Sequence, residues 1–580
     1  MTSNESQDRL NRHARECALQ SVSRAINLAA PTVSYQAQGP LLLLGPEHRI
    51  RLAAARIGTR VECCGLVTEA MPAQVDADME AAAAQSEPHQ LVRLPLQALE
   101  GYLGRYRVQV EVAGAAANLA QLEFGCEYFA TVLDLGSTPH NPAVLKPAGY
   151  FTATSRTELE SAVEQAVALQ GEFEKPRYIT IHNDLCAHSG AELTGCTRCL
   201  DLCPADAIRS NQWHIEIDAH LCHGAGGCAT ACPTAAIRYG YPQPQQTLDA
   251  CRRLLKAYRE AGGVAPRLLI HDAEFGQPWY QQQRTEGTLD PSWIGLEIEE
   301  LGAAGIELWL SALAWGAAEV ALLAPPTLPD SIAAALAQEL KVADAIVSGL
   351  ALPTPVRLLT SDALLQADTA SVSLAASVEL PAGSDKRQQL SAATAYLFNH
   401  SQLSSGAHTR VALERGAPCG QVALNEARCT LCMACVAICP TAALGAGSDT
   451  PLLSFSEDAC VQCGLCVQAC PEDALALVPS YQLDPLPRQQ RQVLKEEQPY
   501  CCIRCGKPFA TQGAVALMLQ KLAGHSMFGD GGLERLKMCA DCRVADLIIS
   551  DPGTDLFAYA KGREAQPHEV NLAQLQDVKQ

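Results

Sequence analysis

Cysteine is the residue type that could do chemistry in this sequence, because it is abundant and regularly spaced. The chain has 580 residues, of which 26 are cysteines. A short Cys-Pro unit recurs, and each copy follows a group of closely spaced cysteines: CPADAI (203–208), CPTAAI (232–237), CPTAAL (439–444) and CPEDAL (470–475). Thiolates spaced two residues apart can wrap one face of a small metal centre. The repeats therefore predict several metal centres of one kind.

The last two copies are complete and both read C-x2-C-x2-C-x3-C-P. Their cysteines are Cys429, Cys432, Cys435 and Cys439, followed by Cys460, Cys463, Cys466 and Cys470. Three thiolates at this spacing sit on a tight loop whose backbone amides can point at the sulfur atoms. A zinc site closes with four ligands and does not repeat this pattern in tandem, so the spacing favours iron–sulfur clusters over zinc.

The stretches CTLCMACVAICP and CVQCGLCVQACP resemble the bacterial two-cluster ferredoxins. In that family the fourth cysteine of each motif binds the cluster of the other motif. The resemblance implies two 4Fe–4S clusters with crossed ligands: cluster one on Cys429, Cys432, Cys435 and Cys470, and cluster two on Cys460, Cys463, Cys466 and Cys439. This crossing would join the two halves and keep the clusters close enough for electron transfer.

The first two copies are an edited version of the same pattern. The opening half inserts nine residues, AHSGAELTG, between its first two cysteines, and a flexible loop of that length costs little to close. The second half, HLCHGAGGCATACP, has Ala225 where the second cysteine belongs, and alanine cannot bind metal. The crossed pattern of the same family implies cluster three on Cys186, Cys196, Cys199 and Cys232, and an incomplete cluster four on Cys222, Cys228 and Cys203.

Three outcomes stay open for the corner at Ala225, which is the position of the fourth cluster where the cysteine ligand is missing. In the ferredoxins that this stretch resembles, loss of the second cysteine gives a 3Fe–4S cluster, or an atypical 4Fe–4S cluster whose fourth iron takes another ligand. The third outcome is an empty site. His223 is adjacent and could supply an imidazole. Cys251 could replace the lost thiolate, although its helical context, LDACRRLLKAYREAGG, is typical of a half-buried structural thiol.

The C-terminal part contains two further CxxC pairs, Cys502 and Cys505, then Cys539 and Cys542, around a helix-like segment, AVALMLQKLAGH. Such pairs resemble zinc ribbons, which implies structural zinc; another iron–sulfur cluster and redox thiols are the alternatives. Cys501 could replace Cys502, and His525 and Asp541 are expected at structural or surface positions. The segment RQQRQVLK just upstream predicts a solvated linker helix.

The segments that must position these motifs alternate strands and helices. PLLLL, RVECCGLV and YRVQVEV predict strands of a small α/β domain in which Cys63, Cys64 and Cys126 are buried reduced thiols. PRLLIHD, GIELWLSALAWGAAEVALLAP and, after two Ala-rich helices, VRLLTS predict a doubly wound α/β unit. The latter region is similar to the small electron-transfer subunit of archaeal methyl-viologen hydrogenase and heterodisulfide reductase systems. Because that family's cluster cysteines are absent, a docking or structural role is expected.

We therefore predict a multidomain protein of α+β and α/β class, in which two ferredoxin-like double-cluster modules are inserted among α/β domains and a small zinc-ribbon-like unit follows. The predicted domains are an N-terminal α/β domain (1–175), a ferredoxin-like module with one incomplete motif (176–245), a cluster-free α/β domain (246–405), a complete 2[4Fe–4S] ferredoxin module (406–482) and the CxxC…CxxC domain (483–580).

Composition narrows the classes of partner. The formal net charge of −20 argues against nucleic acid and anionic membranes, whose phosphates need a basic surface. The polar N-terminus resembles no signal peptide, and no uncharged apolar stretch reaches about 18 residues, the length of a membrane span. We therefore expect a cytoplasmic protein without membrane insertion, in which reduced thiols bind metal and do not form disulfides.

The order of these units resembles large bacterial 4Fe–4S dicluster proteins, which are often encoded near formate dehydrogenase or molybdoenzyme genes. The resemblance implies a polyferredoxin that passes single electrons between cytoplasmic redox partners, such as a formate dehydrogenase or another molybdoenzyme. It also implies three 4Fe–4S clusters, one 3Fe–4S or atypical 4Fe–4S cluster, and zinc.

Two alternative functions stay open. One is an electron-wiring subunit of a larger oxidoreductase, such as a formate dehydrogenase or hydrogenase-type complex. The other is a redox sensor or maturation factor with a labile cluster. The sequence has no P-loop, nucleophile elbow or HExxH motif, so it gives no support for a catalytic residue.

Overall fold

The computed structural model describes residues 3–22, 31–70, 90–353, 355–366, 385–401, 403, 409–448, 450–525 and 532–550. Helix α1 (Ser3–Ser21) begins the described chain. In these segments, no helix is both long and apolar enough to cross a membrane.

Residues 32–176, the N-terminal unit, are built on a five-stranded parallel sheet. Its elements are β1 (Thr32–Ala37), β2 (Leu41–Pro46), α2 (Glu47–Ile57), β3 (Cys63–Glu69), β4 (Gln90–Val92), β5 (Leu96–Glu100), β6 (Arg107–Val112), β7 (Ala115–Asn118), α3 (Leu119–Phe124), β8 (Thr131–Asp134), β9 (Tyr150–Thr152), α4 (Arg156–Ala168) and β10 (Gly171–Pro176). The strand order is β4-β3-β2-β8-β9, and β5-β6-β7 and β1-β10 form separate antiparallel sheets.

The central strand β2 shows why its sequence is continuously apolar. Leu41 and Leu43 pack against α2 and α4, whereas Leu42 and Leu44 pack against β6 and α3 on the other face. A parallel strand covered on both faces needs apolar residues at every position. The predicted strands are found, and Cys63 and Cys64 are buried, whereas Cys126 is only partly so.

Residues 179–239, the first cysteine module, contain short elements between the cysteines. They are β11 (Ile179–Ile181), β12 (Ser189–Gly190), β13 (Leu193–Thr194), β14 (Ile208–Ser210), β15 (Ile215–Ile217), α5 (Gly227–Ala231) and β16 (Ile237–Tyr239). The first and last strands, β11 and β16, pair antiparallel, and β14 and β15 form an antiparallel pair between the two motifs.

Residues 244–399, the central unit, form a parallel sheet with helices on both faces. Its elements are α6 (Pro244–Glu260), β17 (Arg267–His271), α7 (Gly276–Glu286), β18 (Trp293–Glu297), α8 (Ile306–Ala314), β19 (Glu319–Leu323), α9 (Asp330–Gly349), β20 (Val356–Leu359), α10 (Ser361–Leu365) and α11 (Lys386–Asn399). The strand order is β18-β17-β19-β20. One helix, α9, lies between β19 and β20, so the prediction of two helices there is wrong.

The core of the central unit also includes a helix from far away in sequence. Ala14 and Ala18 of α1 are fully buried and pack against α6, so α1 contacts this unit although the predicted boundary assigns it to the N-terminal domain. Cys251 of α6 is fully buried, not half-buried as its helical pattern predicts.

Residues 410–496, the second cysteine module, repeat the strand pairing of the first. Their elements are β21 (Arg410–Ala412), β22 (Gly420–Leu424), α12 (Ala434–Ala437), β23 (Leu444–Ala446), β24 (Leu452–Phe455), α13 (Leu465–Gln468), β25 (Leu475–Gln482), α14 (Pro485–Gln489) and β26 (Gln492–Glu496). Strands β22 and β25 pair antiparallel around the motifs, and β23 and β24 pair between them.

The segment RQQRQVLK is not the predicted solvated linker helix. Its second half lies in β26, which pairs with β24 and extends the sheet of the second cysteine module past residue 482. Arg488, just before this strand, is buried, and its Nε donates to Asp458 Oδ1 at 3.1 Å.

The described part of the C-terminal region, the tail, is small and contains β27 (Pro499–Cys501), β28 (Pro508–Thr511), α15 (Gln512–Leu522), α16 (Gly532–Arg535) and α17 (Ala540–Ser550). Strands β27 and β28 pair antiparallel and place one CxxC pair in the turn between them. The predicted helix over AVALMLQKLAGH is found as α15.

Candidate metal centres

The second cysteine module contains two cavities, each lined by four cysteines. The first, centre one, is lined by Cys429, Cys432, Cys435 and Cys470. The second, centre two, is lined by Cys439, Cys460, Cys463 and Cys466. The fourth cysteine of each motif thus lies in the cavity of the other motif, and the structure brings together the two sets that the resemblance implies.

The loops reach this geometry through backbone conformations that side chains rarely adopt. Leu431 and Met433, on either side of Cys432, have φ of 53° and 62°, and Gln462 and Gly464 around Cys463 have φ of 53° and 83°. Left-handed conformations at non-glycine residues cost energy and cluster at functional sites. Here they turn the loop so that backbone N–H groups face sulfur, as when Leu431 N donates to the Cys429 Sγ at 3.4 Å.

Burial and neighbouring thiols raise the pKa of a cysteine in each cavity. Burial and the neighbouring Cys432 and Cys429 thiols raise the pKa of Cys435 to about 11. In centre two, burial and the thiols around it raise the pKa of Cys466 to about 12. Four thiolates can share such a cavity only when bound metal ions supply positive charge.

The spacing of the sulfur atoms also tests what these sets can hold. Among the described residues, only the cysteines of the tail bring three or more ligand atoms within 4.8 Å of one another. No such group is found among the described cysteines of the two modules. A larger polynuclear group with thiolate ligands, such as an iron–sulfur cluster, fits the two cavities of the second module.

The first cysteine module brings its cysteines together in the same crossed way. The implied set Cys186, Cys196, Cys199 and Cys232 is called centre three. Burial and then the Cys196, Cys232 and Cys186 thiols raise the pKa of Cys199 to about 12. Cys199 and Cys232 lie in one buried cluster, and Cys186 packs against it. Cys196 N donates to the carbonyl of Ala187, the residue that follows Cys186, at 2.8 Å. Ligation by this set stays a prediction.

The incomplete set also comes together. Cys222, Cys228 and Cys203 are called centre four. Burial raises the pKa of Cys228, and the Cys222 and Cys203 thiols raise it further. Cys199 and Cys232 of centre three lie in the buried cluster against which the cysteines of centre four pack, so centre four adjoins centre three. Ligation by these three cysteines also stays a prediction.

The loop around Ala225 has the backbone of the complete motifs. Gly224 and Gly226 have φ of 81° and 77°, which matches the left-handed residues on either side of Cys432 and Cys463. Glycine adopts this conformation without steric cost. Ala225 therefore occupies the position of the second cysteine in a loop that is otherwise preserved.

The corner at Ala225 is covered by residues 301–303 of the central unit. A Cβ on Gly302 would lie 2.1 Å from the carbonyl oxygen of Ala225, and a Cβ on Gly226 would lie 2.5 Å from the Ala303 nitrogen. The Thr230 hydroxyl donates to the Gly302 carbonyl at 2.6 Å. This close approach covers the loop of centre four with protein backbone.

The two alternative ligands for this corner lie in different surroundings. Cys251 is in the core of the central unit, where burial alone raises its pKa and no thiol of centre four contributes. The Nε2 atom of His223 is buried and has no hydrogen-bond partner in the described structure. Burial lowers the pKa of His223, which favours the neutral imidazole that can bind metal.

Basic side chains from other elements bind the backbone beside three of the motifs, which the sequence analysis did not foresee. Each donates to the carbonyl oxygen of the first cysteine of a motif: Lys495 Nζ to Cys429 at 2.5 Å, Arg387 Nη2 to Cys460 at 3.1 Å, and Lys175 Nζ to Cys222 at 2.8 Å. These residues lie outside the motifs, so cysteine spacing carries no signal for them. Their positive charges offset the negative charge of thiolate-bound clusters.

The tail holds the tightest set of cysteines. The sulfur atoms of Cys502, Cys505, Cys539 and Cys542 all lie within 4.8 Å of one another, and those of Cys505 and Cys539 are 3.7 Å apart. Burial tends to raise the pKa of Cys502, but backbone N–H groups together lower it to about 6. The arrangement fits one tetrahedral metal ion. The exposed Cys501 is not part of this set, and neither are His525 and Asp541.

Comparison with known proteins identifies part of the second cysteine module. Residues 428–475 match the 4Fe-4S dicluster domain family. No curated protein matches the chain. The matched segment contains every cysteine of centres one and two, so the chain is an iron–sulfur protein that carries a 4Fe–4S dicluster domain at residues 428–475.

Proposed function

We propose that the chain is a polyferredoxin, which passes single electrons between redox partner proteins through four iron–sulfur clusters. The observation that carries the proposal is the pair of four-thiol cavities in the segment that matches a 4Fe–4S dicluster domain. An iron–sulfur cluster, when bound, takes up and releases one electron at a time. Electron transfer needs no acid–base residue, which agrees with the lack of catalytic motifs in the sequence.

The first cysteine module extends the proposal to four centres. Its outer and inner strand pairs match those of the second module, and its crossed cysteine sets come together in the same way. Asp206, Ala235, Ala442 and Asp473 follow the Cys-Pro cysteine of the four repeats by three residues, and all have φ between 43° and 56°. We therefore assign 4Fe–4S clusters to centres one to three and a 3Fe–4S cluster to centre four.

The residues of the chain hold these groups and set their environment. The thiolates bind iron, and the backbone N–H groups of the loops stabilise the sulfur charge. Around centre one, apolar side chains including Leu424, Leu453 and Leu475 limit the access of water. Lys495, Arg387 and Lys175 place positive charge beside the motifs, which favours the reduced, more negative state of a cluster.

The tail supports a separate assignment to structural zinc. Zinc bonds to sulfur at about 2.3 Å, and a tetrahedron of that size places the sulfur atoms about 3.8 Å apart. The distance of 3.7 Å between the Cys505 and Cys539 sulfur atoms agrees with this value.

The redox partners are proteins with their own redox groups, such as a formate dehydrogenase or another molybdoenzyme.

A reductive titration tests the proposed function. Anaerobically prepared protein should take up about four electrons per chain with reversible bleaching of the visible absorbance, because each cluster accepts one electron. The variant Cys435→Ser should take up about one electron fewer, since it breaks centre one. Uptake of no electrons by protein that contains iron and sulfide would contradict the proposal.

A further inference from the structure

The nine-residue insertion of the first cysteine module forms a hairpin. Strands β12 and β13 pair, and Cys196 N donates to the Ala187 carbonyl at 2.8 Å, so the insertion closes on itself and returns Cys196 to Cys186. The two cysteines therefore meet as they would across a loop of two residues. Centre three does not need the insertion to close, which raises the question of what the hairpin contacts.

The hairpin lies against the second cysteine module, beside centre two. The side-chain Nε2 of Gln468 donates to the Thr194 carbonyl at 2.7 Å. A Cβ on Gly195 would lie 2.8 Å from Leu465 Cγ, and a Cβ on Gly190 would lie 3.1 Å from Ile438. Glycine at both positions thus allows the close approach of the hairpin backbone to side chains of the second module.

These contacts involve the neighbours of metal-binding cysteines on both sides. Gly195 directly precedes Cys196 of centre three. Leu465 is fully buried between Cys463 and Cys466 of centre two.

Contacts within each module place centre one beside centre two, and centre three beside centre four, so the four centres follow one another in a line. Cys435 of centre one and Cys466 of centre two lie in one buried cluster. Cys199 of centre three lies in a second buried cluster, against which Cys222 and Cys228 of centre four pack. The tail lies near the outer end of this line, since Thr511 donates to the carbonyl of Thr430, which follows the first cysteine of centre one.

We propose that the hairpin β12–β13 couples the two cysteine modules for electron transfer. Electrons then pass between centre two and centre three, along one line of four centres. This inference rests on the proposed function. In the joining step one centre is oxidised by one electron and its neighbour is reduced by the same electron, with no bond broken and no proton required. A reduced redox protein supplies the electron at one end, and an oxidised redox protein accepts it at the other. The rate of electron transfer falls steeply with distance, so the close contact at the hairpin determines whether the modules act together.

The test uses the full chain with two centres removed at a time. The variant Cys435→Ser with Cys222→Ser leaves centres two and three. Its fully reduced EPR spectrum should show splitting or broadening from two neighbouring spins. The matched control, Cys463→Ser with Cys222→Ser, leaves centres one and three, and its spectrum should show two separate signals without splitting.

A second variant keeps every cysteine and tests the hairpin itself. Deletion of residues 188–194 joins Ala187 to Gly195 and restores the loop of two residues found in the complete motifs. In the background that leaves centres two and three, this deletion should preserve iron and sulfide content but abolish the splitting.

The possible failures are distinct. Full iron and sulfide content without splitting in the variant that retains centres two and three would overturn the inference and leave the proposed function standing. Splitting that survives the deletion would overturn the role of the hairpin. Protein that lacks both iron and sulfide would contradict the proposed function itself.

Discussion

Replacement of Ala225 by cysteine should complete centre four. The loop already has the left-handed residues Gly224 and Gly226 on either side of this position, as the complete motifs do beside Cys432. The substitution adds a single sulfur atom to a loop whose backbone already has the conformation of the complete motifs. With a fourth thiolate, centre four should bind a 4Fe–4S cluster, and its 3Fe–4S cluster should be lost.

The expected change in iron content determines which assay can detect it. Three four-iron clusters and one three-iron cluster contain about fifteen iron atoms per chain, so the variant should gain about one atom, or about 7%. A gain of this size is difficult to resolve by iron analysis. An oxidised 3Fe–4S cluster gives a sharp, nearly isotropic EPR signal that oxidised low-potential 4Fe–4S clusters lack. The wild type should show this signal as isolated, and Ala225→Cys should abolish it.

The matched control is Ala225→Ser, which adds an atom at the same place without a thiolate. It should keep the signal of the wild type. Absence of the signal from the wild type, together with no change in Ala225→Cys, would refute the reasoning. The corner would then hold another ligand, such as the unpartnered His223 nitrogen, or centre four would be empty.

Three further changes test other parts of the account. Cys539→Ala should release zinc and make the tail sensitive to protease, because structural zinc supplies folding energy. The visible absorbance of the clusters should stay unchanged, and loss of iron in place of zinc would contradict the assignment. Gly302→Ala should destabilise the chain by about 1–3 kcal/mol, because its Cβ would clash with the Ala225 carbonyl, and an unchanged unfolding midpoint would count against the close contact. Lys495→Met should lower the midpoint potential of centre one in an EPR-monitored titration, because a positive charge that favours the reduced state is lost. The control Lys521→Met, on the exposed face of α15, should leave this potential unchanged.

The cysteine loops were the most predictable part of the molecule, because the pattern that defines them is local in sequence. Cysteines spaced by two residues define the loops, and the Cys-Pro repeats mark where each loop ends. The buried strand β2 was also predictable, since a short run of four leucines is typical of a strand covered on both faces.

The features that join the units were not predictable, because they depend on contacts between residues far apart in sequence. The contact of Gln468 with Thr194 spans 274 positions, and nothing in the insertion itself marks its partner. Lys495 was assigned to a linker helix because RQQRQVLK is polar, although its strand is held by pairing with β24. Helix α1 was placed by chain order, whereas its buried alanines pack on the central unit.

Analysis of iron, acid-labile sulfide and zinc in the anaerobically purified full chain tests the central claim most directly. The account predicts about fifteen iron atoms, a nearly equal amount of sulfide and about one zinc ion per chain. Protein that binds zinc at centres one to four and contains no sulfide would contradict it.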